Sequence, residues 1–214
     1  MIRAAFISLT LLLFLVCSCN KDNVINPAIT SYPNFSQLKV GNFWIYQRFS
    51  VDSSGNATPM NVFDSCYIEK DTIINNRTYF KMIKPDYFPT DSVVRFLYDS
   101  LHYIVDSSGQ ILFSSQDFQT ILSSFFFISS PDTIAEVIRK MTDRNLIVSC
   151  PLGSFSTLNC KETRNMYPNW RFAGNPRYRN TRYSENIGIV IETLPFFITD
   201  PNYVERRLVR FHLN

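Results

Sequence analysis

Glycine is scarce, with 6 in 214 residues. A phosphate-cradling loop needs glycines at fixed spacing, and no such run occurs. Histidine is scarcer still, at 2, His102 and His212. A Ser-His-Asp triad needs only one histidine, so composition alone does not exclude it. The Gly-x-Ser-x-Gly elbow that exposes a nucleophile is absent, however. Each histidine sits inside a strand pattern and reads as an ordinary strand residue. No Cys-x-x-Cys pair or Cys/His cluster occurs, so neither a metal nor another cofactor is expected. Neither sign of charge dominates: the formal net charge is +3. That is too small to imply a polyanionic partner. The apolar run Ala4 to Val16 has 13 residues, short of the roughly 20 that a spanning helix needs.

What that run does fit is a leader. Arg3 is the only charged side chain before Lys21, and 13 residues match the apolar stretch of an export signal. Ser18 is the small residue directly before Cys19, and Val16 stands at the third position before it. Cys17 fits less well, because bulky Leu15 and Val16 precede it. The segment resembles bacterial lipoprotein signals, which implies removal of residues 1–18 and lipidation of Cys19. A diacylated cysteine buries enough CH₂ groups, at about 0.8 kcal/mol each, for stable anchoring. The protein is therefore expected at the outer membrane, on its periplasmic or cell-surface face. Cys19-Asn-Lys-Asp22 also resembles the short export tags of surface-exposed lipoproteins in Bacteroidota. Residues 19–36 are polar, carry Pro27 and Pro33, and read as a tether.

Residues 37–214 read as one domain, long enough to bury a core. Nineteen Phe and 11 Tyr favour thickly packed β structure. Cys66, Cys150 and Cys160 form an odd set in an oxidising compartment. A hairpin at Pro151-Leu-Gly-Ser154 puts position 150 opposite 155 and Cys160 opposite Asn145, on the other face. A Cys150–Cys160 bridge is then disfavoured. The three are expected as buried thiols, or with Cys66 bonded to one of the other two.

Strand signals recur along the domain. Leu38 to Arg48 is the first, with Phe43 and Ile45 on one face and Trp44 and Tyr46 on the other, so burial on both faces is expected. Val62–Asp71 and Thr78–Ile83 flank an Asn75-Asn76 turn, which suits positive φ. Val93–Tyr98 pairs with His102–Val105. Val-Asp-Ser-Ser-Gly occurs twice, at 51–55 and 105–109, as one hairpin turn used twice. A calcium loop would need further spaced carboxylates. Ile134, Val137, Ile138 and Met141 fall at helical spacing, and Thr133 with Glu136 fits a capping box. The β-branched residues and the run into Leu146–Cys150 nevertheless favour a β-hairpin. Phe155–Lys161, Ile187–Glu192 and Val204–Leu213 follow, the last with a phase change at Arg206-Arg207 that suggests a bulge. About ten strands define an all-β, mainly antiparallel fold: one curled or barrel-like sheet with at most one or two short helices.

Tyr32-Pro-Asn-Phe-Ser-Gln-Leu-Lys-Val-Gly-Asn-Phe-Trp-Ile-Tyr46 resembles the Tyr-Phe-Pro-Leu-x-x-Gly-Asn-x-Trp-x-Tyr start of a family of Bacteroidota-type secreted lipoproteins. Asp71-Thr-Ile-Ile-Asn-Asn-Arg-Thr-Tyr79 is similar to their Asp-Thr-x-x-Asn-Gly-x-x-Tyr hairpin, with Asn76 in place of glycine. Pro151-Leu-Gly-Ser-Phe-Ser-Thr157 and Tyr183-Ser-Glu-Asn-Ile-Gly-Ile-Val190 resemble two further turns. The Leu-Tyr-Asp-Phe…Gly-Asp-x-Trp middle of that family is largely missing around 112–130. These motifs are structural, and the resemblance implies no catalytic residue.

The most unusual composition lies between Lys161 and Arg182. Lys161, Arg164, Arg171, Arg177, Arg179 and Arg182 stand there against Glu162 alone, among Tyr167, Trp170, Phe172 and Tyr178. The bland reading is a surface loop with snorkelling arginines. The functional reading makes Trp170, Arg171, Arg177, Tyr178 and Arg179 a ligand-binding patch for an envelope protein, a lipid or an anionic glycan. Nucleic acid is excluded by the export signal. Asp86 and Asp91, beside Tyr87, Phe88 and Pro89, could serve as a glycosidase acid pair, although a solvated loop explains them as well. Three functions follow in order: a non-enzymatic envelope binding or assembly module, a lipid or lipoprotein carrier with an apolar cavity, and a glycan- or peptide-directed hydrolase.

Overall fold

The structure is a computed structural model that describes residues 31–86, 92–194 and 203–214. The leader, Cys19, the tether up to residue 30, and Tyr87 to Asp91 lie outside the described residues. Twelve antiparallel strands are described: β1 (Phe43–Val51), β2 (Ala57–Ile74), β3 (Arg77–Pro85), β4 (Ser92–Ser100), β5 (Tyr103–Asp106), β6 (Ile111–Ser114), β7 (Ile121–Ser129), β8 (Asp132–Cys150), β9 (Gly153–Met166), β10 (Arg177–Ser184), β11 (Gly188–Leu194) and β12 (Tyr203–His212). They form one sheet in the order β6-β5-β4-β3-β2-β1-β12-β11-β10-β9-β8-β7. The sheet curls until its two ends nearly meet. The Cys160 thiol donates to the Leu112 carbonyl at 3.0 Å, and Arg139 donates to the Ile111 carbonyl at 3.2 Å. These contacts close the curl without a ladder between β6 and β7. The only helical turn described is the 3-10 turn Pro168–Ala173, and no described helix is long and apolar enough to cross a membrane.

Local turn chemistry sets much of this. Asn75 and Asn76 both have positive φ, 49° and 59°, as a tight hairpin with right-handed twist requires. In the repeated turns, the carboxylate of Asp52 accepts the Ser54 and Asn56 N–H groups. Asp106 does the same for Ser108 and Gln110. Gly55 and Gly109 take φ values of 83° and 84°. The helix-or-hairpin segment is strand throughout, within β8.

Several expectations shift. β1 starts at Phe43 rather than Leu38, because Gly41 at φ 89° breaks the strand. Its burial alternates at first, with Trp44, Tyr46 and Arg48 buried and Phe43 and Ile45 half-buried, and further along Phe49 and Val51, on the Phe43 face, are buried as well. The domain also begins before residue 37. Ser36 is buried, and its hydroxyl donates to Asp99 at 2.6 Å. Phe35 packs on the core. The β8–β9 hairpin pairs Cys150 with Gly153, a two-residue connection. A bulge at Asp143 to Asn145 then brings Cys160 opposite Met141, not Asn145. All three cysteines are free thiols, and Cys66 and Cys160 are buried. The β12 bulge falls between Leu208 and Arg210, not at Arg206-Arg207. His102 lies in the turn before β5 rather than in a strand.

The core lies inside the curl. Trp44, Tyr46, Ile68, Met82, Leu97, Phe113, Leu158, Val190 and Leu208 belong to it, each large side chain worth about 1.5–3 kcal/mol on burial. β11 separates from β12 before Ile191, and two aromatic side chains fill the gap. Trp44 Nε1 donates to the Ile187 carbonyl at 2.7 Å, and the Tyr46 hydroxyl to Ile189 at 2.9 Å. Gly188 lets the indole approach. A Cβ there would sit 3.4 Å from Trp44 Nε1, on a backbone at φ 97°.

Candidate functional site

Eight strands suffice for a barrel whose side chains fill its middle, and more strands leave space. Inside the curl of the twelve strands lies a partly open cavity of about 60 Å³. Trp44, Tyr46, Cys66, Met82, Leu97, Ile104, Leu112, Cys160, Tyr183 and Ile189 form its apolar wall. Lys84, Arg95, Arg139, Arg179, Glu162 and Glu192 form its charged wall.

These charges belong to a belt with one member on each of nine adjacent strands. In sheet order it runs Arg95 on β4, Lys84 on β3, Asp64 on β2, Arg48 on β1, Arg206 on β12, Glu192 on β11, Arg179 on β10, Glu162 on β9 and Arg139 on β8. Strand register builds it. Arg139, Glu162 and Arg179 are direct cross-strand partners, as are Glu192, Arg206 and Arg48. Lys84 Nζ lies 2.7 Å and 3.0 Å from the two Glu192 oxygens. Glu192 also accepts Arg179 and lies 3.5 Å from Arg206. Glu162 faces Arg139 at 2.6 Å, Arg164 at 3.4 Å and Arg179 at 3.8 Å. Asp64 holds Arg48 at 2.8 Å and Arg206 at 2.7 Å. The like charges of Arg48 and Arg206 are bridged further by the Asp86 carbonyl, which accepts both at 2.8 Å and 2.9 Å.

This setting fixes the protonation states. Burial alone would raise Glu162, but Arg179, Arg139 and Arg164 override it and hold the carboxyl at about 2. Burial opposes ionisation of Glu192 too, and Lys84, Arg179 and Arg206 hold it well below the usual range. Burial lowers the Lys84 ammonium to about 8 against the pull of Glu192, with Arg179, Arg95 and Arg206 adding to the drop. The Cys66 and Cys160 thiols are pushed up to about 12 by burial. The wall therefore offers fixed positive donors and locked carboxylates, and no thiolate at neutral pH.

Of the five residues singled out in sequence, the structure places only Arg179 on this cavity. The 161–182 segment is strand at both ends, the end of β9 and most of β10, around the 3-10 turn Pro168–Ala173, so the reading as one surface loop gives way. β10 turns Arg177 and Arg179 one way and exposed Tyr178 the other, where Lys161 Nζ lies 3.8 Å from its ring centre. Trp170 packs on Ile134, Ala135 and Met166 in a separate small cluster. Arg171 is exposed, and its Nε donates to the Met166 carbonyl at 3.4 Å. His102 Nδ1 lies 2.9 Å from Ser114 Oγ. That oxygen already accepts the Gln116 and Asp117 N–H groups, as a turn hydroxyl does. Among the described residues, no group of three or more His, Cys, Asp or Glu side chains could hold a metal ion. Asp91 lies outside the described residues, and Asp86 is exposed.

Sequence reasoning did not find Lys84, Arg95, Arg139, Glu162, Glu192 or Arg206. A signal was present. Glu192 lies at even spacing between Val190 and Leu194, and Arg206 between Val204 and Leu208, all buried. A charge on an otherwise apolar strand face marks an inward charge.

No family model matches the chain, and no curated protein matches it either. Two solved structures are similar to it. One is a Bacteroides fragilis protein described as exported and as having a YmcC-like fold, at 13% identity and a TM-score of 0.48, covering 85% of this chain and 100% of that one. The other is a Parabacteroides distasonis protein described as a lipoprotein, at 11% identity and a TM-score of 0.48, covering 86% of this chain and 100% of that one.

Proposed function

We propose that this protein is a lipid-anchored binding module of the cell envelope. Cys19 carries the anchor at the outer membrane, and the cavity inside the curled sheet takes a small ligand. The protein belongs, on this reading, with the Bacteroidota-type secreted lipoproteins that its opening motif resembles, and it catalyses no reaction. The address rests on the leader. The binding role rests on one observation: an interior cavity with an apolar wall and a charged wall. A space of about 60 Å³ takes a few waters or a small ion, which favours a small ligand over an acyl chain. Acid–base hydrolysis needs a carboxyl that can give up a proton near neutral pH. Glu162 and Glu192 are held ionised, which favours binding over hydrolysis.

Trp44 lies on the cavity wall and is one of only 2 tryptophans. In a Trp170→Phe variant its emission reports the cavity alone. Fractionated envelope extract is expected to contain a small molecule that shifts this emission saturably. The shift should vanish in Thr181→Phe, which fills the cavity and leaves Trp44 the sole emitter, while circular dichroism stays unchanged. A shift that survives Thr181→Phe in the folded protein would place binding elsewhere.

A further inference from the structure

Among the described residues, the charges of the cavity do not balance. The belt carries six cations and three carboxylates, and Arg164 adds a seventh cation beside Glu162. Each carboxylate already serves two or three cations. On the cavity wall itself, Lys84, Arg95, Arg139 and Arg179 face Glu162 and Glu192 alone. Among the described residues, that leaves a surplus of two positive charges around a largely buried space. Isolated charges out of water cost several kcal/mol each unless compensated.

Arg95 is the open member of the belt. Lys84, Arg139 and Arg179 each contact a carboxylate. Arg95 has no ion pair or hydrogen bond among the described residues, although it lines the cavity. Register fixes where it stands. Met82 pairs with Arg95 and Lys84 with Val93, so Arg95 and Lys84 are diagonal neighbours on adjacent strands, within reach of one bound group. A guanidinium is a planar fork of five donors, suited to an oxyanion. Leu97 and Ile104 continue the wall as an apolar surface.

We infer that the cavity binds the dianionic phosphate group of a small molecule, with Arg95 as its principal contact and Lys84 at its side. The inference rests on the reading of the cavity as the binding site. A dianion matches the surplus of two and supplies acceptors that Arg95 lacks among the described residues. The phosphate is either free or the head of a small ester whose apolar part lies on Leu97 and Ile104.

The test uses the full mature chain carrying Trp170→Phe, with Trp44 emission as readout and three probes: inorganic phosphate, butyl phosphate and butanol. Saturable binding of a phosphate probe is expected, weakened about tenfold or more in Arg95→Gln and partly restored in Arg95→Lys. Butyl phosphate binding several-fold tighter than phosphate identifies an ester, and equal binding identifies the free ion. Butanol binding without phosphate binding leaves the cavity a ligand site and overturns the anionic head. Phosphate binding that ignores Arg95→Gln in a folded variant overturns the assignment of Arg95. Silence of Trp44 toward all three probes overturns the inference, while the extract titration with Thr181→Phe decides the binding reading under it.

Discussion

Glu192→Gln is the sharpest perturbation of the charge belt. Glu192 is 4% exposed and is the shared acceptor of Lys84, Arg179 and Arg206. The substitution keeps size and shape, and removes the charge that lets three cations stand together. Removing one partner of a buried ion pair costs about 3–5 kcal/mol, because the other is left uncompensated. Here three cations lose one anion, so the upper part of that range applies. Domains of this kind have about 5–15 kcal/mol in total. For a chain of this length, the loss corresponds to roughly 8–20 °C in Tm. Urea unfolding of wild type and variant, with m compared for both, measures it directly. Glu192→Gln with Lys84→Met should recover part of the loss, because one buried charge is then gone. A single-variant loss below about 1 kcal/mol, the size of a surface pair, would refute the reasoning and mean that water reaches the belt freely.

Further outcomes follow from the same contacts. Folded-state carboxyl values below their ordinary ones make a contribution that is complete above about pH 4.5 and lost as pH falls toward 2, given Glu162 at about 2 against 4.5. The urea midpoint should therefore fall steeply between pH 5 and about 2, and a flat profile there would contradict the pairing. Lys84, at about 8, loses its charge in the folded protein as pH rises, so phosphate affinity should drop across that pH. Lys84→Met should remove the drop. Gly188→Ala puts a methyl 3.4 Å from the Trp44 indole on a left-handed backbone, and should cost about 1–3 kcal/mol with a change in Trp44 emission.

The outline of this fold was readable because its turns are local. Asn75-Asn76 and the two Asp-Ser-Ser-Gly turns hold their chemistry within five residues, and each forms as its composition requires. The cavity was not readable in the same way. Its ion pairs join residues far apart, such as Lys84 and Glu192 at a separation of 108, so neither partner explains the other locally. Strand reading also sends charges outward, which hid Arg179 in a supposed loop and turned Arg206 into a supposed bulge. The Cys150–Gly153 hairpin failed on a smaller point. A two-residue connection in place of four moves every partner along β8 and β9. The leader and Cys19 lie outside the described residues, and their reading rests on linear sequence alone.

The central claim, that the belt around Arg95 and Lys84 is an anion site, is tested most directly by anomalous diffraction. Crystals of the full mature chain soaked in selenate, an oxyanion of phosphate shape, locate the anion by its selenium. The expected result is a selenium peak inside the curl, within hydrogen-bonding reach of Arg95 and Lys84, which Arg95→Gln abolishes. Selenium on surface lysines with an interior peak absent would contradict the claim.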